Sequence, residues 1–174
     1  MGSDKRDREK AAEIVRDAGG EIIGRTKLQK VAYLLELAGF GDGFDFEYRH
    51  YGPYSEDLAN AIRMADAFGL VTEVERVANW GGVYSIYKAS DAAGARTNGP
   101  RATFCKSAAT IAPIELELAA TAAYLSAVEG YNDPWEETAR RKPEKVGGGR
   151  IEGAKEAYRQ LVALETAKPL PMIV

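Results

Sequence analysis

The stretch from Arg25 to Leu58 restricts the fold more than any other part of the chain. It opens as Arg25-Thr26-Lys27-Leu28-Gln29-Lys30, passes Gly39, Gly41 and Gly43, and ends in Tyr51-Gly52-Pro53-Tyr54-Ser55-Glu56-Asp57-Leu58. Thr26 and Gln29 stand at capping-box spacing, where a hydroxyl takes the N–H three residues on and the amide reaches back. Leu28, Val31, Ala32, Leu35 and Ala38 form one apolar stripe, and Tyr33, Leu34 and Leu37 add apolar surface elsewhere, which predicts a central helix wrapped by neighbours. After the glycines, Phe44, Phe46, Tyr48 and His50 alternate with Asp45, Glu47, Arg49 and Tyr51, as in a half-buried strand. Gly52-Pro53 is expected to turn the chain. Ser55 then caps a helix whose first turn carries Glu56 and Asp57 against the positive end of its dipole, with Leu58, Ile62, Ala65 and Phe68 facing the core and Gly69 ending it.

Around this stretch the periodicities complete an α+β, mainly α, chain. Ala11, Ala12, Ile14, Val15 and Ala18 mark a first helix over residues 7–18, stopped by Gly19-Gly20. Residues 70–78 and 83–89 read as two strands joined by Asn79-Trp80-Gly81-Gly82, a hairpin with Trp80 near its tip. Helix, helix, strand, helix and hairpin is the order of a winged-helix-like core, although other α+β arrangements use the same elements. Residues 91–110, rich in small residues, read either as a loop or as an irregular helix. Ile114 to Val128 is an Ala/Leu-rich helix with Pro113 in its first turn, and Asp133-Pro134-Trp135-Glu136 starts a short one. Gly147 to Gly149 separates that helix from a last amphipathic one carrying Ala154, Ala157, Tyr158, Leu161 and Val162. The expected organisation is one domain over residues 6–166, with these C-terminal helices following the core, and a tail over 167–174.

Composition excludes several functions. The 174 residues are 45% hydrophobic, enough for a core, and the net charge of -3 offers no global attraction to phosphate backbones. One cysteine, Cys105, and one histidine, His50, provide neither an internal disulfide nor a Cys/His metal set, so no metal or cofactor is expected. The charged start lacks the apolar core of a signal peptide, Arg6 stands where myristoylation needs Ser or Thr, and no apolar run is long enough to cross a bilayer. A cytoplasmic protein is expected. No Ser/His/Asp set and no phosphate-cradling glycine pattern appears, and Glu115 and Glu117 face different sides of their helix, so no catalytic constellation is read.

The Lys-Leu-Gln-Lys helix (Lys27 to Lys30, with Tyr33), the Tyr51-Gly52-Pro53-Tyr54 step, Leu58 and the later Pro134-Trp135 pair together resemble the Panacea domain family, which includes SocA-like antitoxins and YwgA-like proteins. The similarity covers roughly residues 8–140 and is strongest in 25–70, its Tyr-Gly-Pro-Tyr form leaning toward the YwgA-like branch. The resemblance implies an intracellular, mainly helical domain that holds a protein partner, a toxin in the antitoxin branch, with one branch acting as a proteolytic adaptor. It carries no catalytic residue. A homodimer stays open.

Candidate partner-binding residues follow from their types. Tyr48, Arg49, Tyr51 and Tyr54 gather aromatic and cationic groups of the kind found at interface hot spots, though alternate residues of such a strand also build core. Arg25, Lys27 and Lys30 oppose the helix dipole at the start of their helix, which suits either solvated cations or a carboxylate or phosphate partner. Trp80 is a large ring at a tight turn. His50, on the Phe44-Phe46-Tyr48 face, is expected to be packed or hydrogen-bonded rather than catalytic, and Arg140, Arg141, Lys142 and Lys145 read as a solvated basic run with a lesser prospect of meeting an acidic partner. The alternative reading is a DNA-binding regulator. Its groove-reading helix would carry Glu56, Asp57 and Asp66 against Arg63, an acidic face repelled by phosphate.

Overall fold

A computed structural model describes residues 5–174; the first four residues of the charged start lie outside the described residues. Helix α1 (Asp7–Asp17) leads through strand β1 (Glu21–Ile23) into α2 (Arg25–Leu37). A small hairpin, β2 (Glu47–Arg49) and β3 (Gly52–Tyr54), precedes α3 (Glu56–Ala67) and the long hairpin β4 (Val71–Val77) and β5 (Val83–Ala89). Four helices follow: α4 (Pro100–Thr110), α5 (Pro113–Ala127), α6 (Pro134–Arg141) and α7 (Arg150–Val162). β1 pairs with β5 and β5 with β4, all antiparallel, giving a three-stranded sheet in the order β1-β5-β4 beside the separate two-stranded β2-β3 ribbon. The fold class expected from periodicity, α+β and mainly α, is the one observed.

Two helices share the centre. Every residue of α2 from Leu28 to Leu35 is buried, and so is every residue of α5 from Leu116 to Leu125. The alanines of α5 allow this, since small side chains admit neighbours on all faces without overpacking. Residues 91–110 resolve into a 3₁₀ turn (Asp91–Ala93) and α4, which Arg101 ties down by donating to the Phe40 carbonyl at 3.0 Å, to Asp42 at 3.0 Å and to buried Asp17. The Asp133 cap is present, its carboxylate accepting from the Glu136 N–H at 3.0 Å. The expected tail is packed: Leu170 is buried, Tyr158 donates to the Pro171 carbonyl and the Trp135 indole donates to that of Ile173 at 2.7 Å.

Five local expectations are corrected. Thr26 and Gln29 make no capping box; α2 starts after Gly24 with no side-chain cap, and the Gln29 amide bonds instead to the backbone of Ser55. The strand expected from Phe44 shrinks to Glu47–Arg49, because the Glu36 carboxylate claims the N–H groups of Asp42, Gly43 and Phe44 at 3.0, 2.9 and 3.1 Å, while the Phe46 ring packs edge-on to Tyr33. The turn lies at His50-Tyr51, since Arg49 pairs with Gly52 and Tyr48 with Pro53, so Gly52-Pro53 is strand. His50 is therefore exposed rather than packed. Phe68 is 58% exposed beneath the Arg8 guanidinium, 3.9 Å from its ring centre, and is not core.

Gly52 shows why that position excludes a side chain. Its φ is +94°, and a Cβ there would run into the Thr121 hydroxyl of α5. Gly43, at φ +87°, has open space instead. Gly52→Ala should therefore cost more than the roughly 1 kcal/mol that left-handed strain alone imposes on Gly43→Ala. Urea unfolding of both variants checks this, with equal losses contradicting it.

Candidate functional site

The β2-β3 ribbon stands over the junction of α2, α3 and α5 and forms one wall of a groove of about 770 Å³. Buried Leu28 and Ile62 line it together with Arg25, Arg49, Tyr51, Tyr54 and Arg63. The ribbon is placed there from below by backbone acceptors. Gln29 donates to the Ser55 carbonyl at 2.9 Å and accepts from the Ser55 N–H at 2.8 Å, while the Ser55 hydroxyl takes the Leu58 N–H and starts α3. One residue on, Lys30 donates to the Pro53 carbonyl at 2.7 Å, and Lys142, at the end of α6, donates to the His50 carbonyl at 3.0 Å. The turn of the ribbon is thus held by two lysine side chains, one from α2 and one from the end of α6.

These lysines share one counter-ion. The Glu117 carboxylate, buried on α5, lies 3.4 Å from Lys142 and 2.6 Å from Lys145, which sits in a 3₁₀ turn (Pro143–Lys145). Burial lowers Lys30 to about 7, the charges of Lys142 and Lys145 push the same way, and Glu117 opposes them. Burial likewise lowers Lys142, with Glu117 acting against it. Cys105, by contrast, is a buried structural thiol pushed up to about 12 by its apolar surroundings, donating to the Ile14 carbonyl.

The residues singled out in the sequence reach different places. Arg25, Lys27 and Lys30 do not converge: Arg25 bonds to Ser85, Glu73 and Glu75, Lys27 donates to the Ala109 carbonyl at the end of α4, and Lys30 is only 1% exposed. Lys30 therefore offers no surface cation, and its position fixes the ribbon instead. Tyr48 is half-buried, with the Arg141 guanidinium 4.8 Å from its ring centre and Tyr124 packed beside it. Arg49 is exposed, held by Glu47 and Glu56, with the Tyr54 ring 5.0 Å away. Tyr51 is 56% exposed over the Lys145 ammonium. Arg49, Tyr51 and Tyr54 thus share the groove, whereas Lys27, Tyr48 and Trp80 do not line it. Trp80 stands alone at the β4-β5 tip, 79% exposed with Val77 and Val83.

Sequence reasoning missed Glu117, Lys142 and Lys145 as a set, because no spacing links α5 to the end of α6. The basic run is only partly solvated: Arg140 is exposed and pairs with Glu137, Arg141 pairs with Glu137 and Glu129, and Lys142 is buried. Arg63 was weighed only as a charge on α3; it lines the groove with no carboxylate bridge among the described residues. Among the described residues no cluster of His, Cys, Asp or Glu is placed to hold a metal, and no helix is long and apolar enough to cross a membrane.

Two curated proteins are similar to parts of the chain. The uncharacterised protein YwgA of Bacillus subtilis is 41% identical over 56 residues, 32% of this chain and 34% of YwgA. A DNA ADP-ribosyl glycohydrolase of Thermus aquaticus is 42% identical over 43 residues, 25% of this chain and 12% of that enzyme. The chain thus matches about a third of the first relative and about an eighth of the second. No family model matches it, and no solved structure does.

The Lys30 environment dictates a pH profile. An unfolded lysine keeps its proton to about 10.5, whereas folded Lys30 gives it up near 7, so between these values the unfolded chain binds more protons and stability rises with pH. The expected gain is about 1 kcal/mol per pH unit from about pH 7 to about pH 9, and Lys30→Met should remove most of it. Denaturant titrations at several pH values measure this; a flat wild-type profile contradicts the assignment.

Proposed function

We propose that this chain is a protein-binding module that docks a segment of a partner protein along the β2-β3 ribbon and its groove. The observation that carries the reading is the groove itself, where Tyr51 and Tyr54 of the ribbon and three arginines, Arg25, Arg49 and Arg63, stand over buried Leu28 and Ile62. Such sites bury aromatic and arginine anchors at protein interfaces. The ribbon is also fixed in place before any partner arrives, which lowers the ordering cost of association. The resemblance to Panacea-type antitoxins makes a toxin the partner to seek, with an antitoxin or adaptor role in the cytoplasm, and similarity to YwgA over a third of its length supports a YwgA-like origin.

A DNA-binding regulator is the second reading. The order α1-β1-α2-α3-β4-β5 with the sheet order β1-β5-β4 suits a winged-helix scaffold, and the partial relative named for DNA ADP-ribosyl glycohydrolase favours keeping a DNA-linked role in view. Against it, exposed Glu56, Asp57 and Asp66 face Arg63 on α3, and the α2 lysines that would offset them are turned inward.

Tagged protein used as bait, alongside Tyr51→Ala, Tyr54→Ala and Trp80→Ala variants, tests the leading reading. A partner retained by the wild type should be lost or weakened on the order of 30-fold by the two groove variants, as expected for hot-spot truncation worth about 2 kcal/mol. Retention of a specific DNA duplex that weakens steeply as salt rises, with no stable protein partner, would favour the regulator.

A further inference from the structure

Lys30 is the side chain on which the exposed ribbon rests, and it is buried with too few acceptors for an ammonium. It reaches one carbonyl, that of Pro53 at 2.7 Å. Each element around it brings charge. On α2 itself Lys27 turns away to α4; α5 brings Glu117; the ribbon brings Arg49, His50 and Tyr51; the end of α6 and the turn after it bring Lys142, Glu144 and Lys145. Of these, Glu117 is the carboxylate that directly opposes the Lys30 charge, and it is already bonded by Lys142 and Lys145.

We propose that the β2-β3 ribbon is a proton-gated surface: a proton taken up by the Lys30 amine loosens residues 49–54 from α2 and α5, and loss of that proton seats them. With Lys30 neutral, the amine still donates to the Pro53 carbonyl and adds no charge beside the neighbouring ammonium groups. Lys142 and Lys145 then match Glu117 with one excess charge. With Lys30 charged, three cations share one buried carboxylate, and two of its N–H groups lack acceptors. Gly52 and Pro53 are themselves buried beside Lys30 while neighbouring Tyr51 is exposed, so water reaches the amine when this two-stranded ribbon lifts. The Gln29 bonds to Ser55 stay as the hinge. The β2-β3 wall of the groove would therefore be ordered at neutral to alkaline pH and loosened below it. This deepens the groove reading above, although the device itself needs no partner.

The test uses the protein alone, so its failure is separable from failure of the partner reading. Carbon-detected NMR of the lysine side chains should give Lys30 a midpoint close to neutrality. Amide hydrogen exchange, corrected for the intrinsic pH effect, should show residues 49–54 opening about tenfold more at about pH 6 than at about pH 8 while α7 stays protected at both. In Lys30→Met that difference should vanish. A Lys30 midpoint in the ordinary lysine range, an opening that does not change with pH, or a loss of protection that α7 shares would each overturn the proposal. The side-chain titration decides it even if Lys30→Met does not fold.

Discussion

The Gln29 side chain, donating to the Ser55 carbonyl and accepting from the Ser55 N–H, joins the centre of α2 to the point where the ribbon ends and α3 begins. Both backbone groups are buried, so without Gln29 each would lose its partner at a cost of about 1–3 kcal/mol. The same contact fixes Ser55 as the cap of α3, which in turn sets the direction in which α3 leaves the core and hence where β4 starts. Ribbon, groove and long hairpin all take their positions from this one amide.

Next to it the chain tolerates a costly arrangement. Lys30 and Lys142 could satisfy the ribbon carbonyls more cheaply as neutral donors, because burying an ammonium costs several kcal/mol unless it is well paired. Glu117 offsets part of that cost, with the remainder relieved by deprotonation of Lys30 near neutral pH. Apolar residues could fill the same space, but they would leave the carbonyl of buried Pro53 without its donor and free the His50 carbonyl from Lys142. The lysines therefore trade stability for a defined ribbon conformation, which is the feature that a binding surface requires.

The long hairpin and the helices other than α4 were legible because their signals are local: the stripe of α2, the Ala/Leu run of α5, the Ser55 and Asp133 caps and the Asn79-Trp80-Gly81-Gly82 turn all depend on neighbours in sequence. The losses came from tertiary partners that override local rules. Gln29 fits a capping box by spacing, yet bonds 26 residues away. Phe44 fits a strand by alternation, yet its N–H goes to Glu36. At the candidate site, Arg49, Tyr51 and Tyr54 were recognisable from residue type, while Lys30, Lys142 and Lys145 looked solvated because Glu117 approaches them from another helix. The groove, made by α2, α3, the ribbon and the β4-β5 hairpin, had no sequence signal as a whole.

The functional reading therefore depends on a physical claim, that α2 holds the ribbon in a preformed shape through Gln29 and Lys30. Residue-resolved hydrogen exchange of Gln29→Ala is the most direct measurement of it. The account predicts a selective loss of protection in residues 47–58, with α5 and α7 still exchanging near the global limit. Unchanged protection in the ribbon, or an equal loss across every helix, would contradict it.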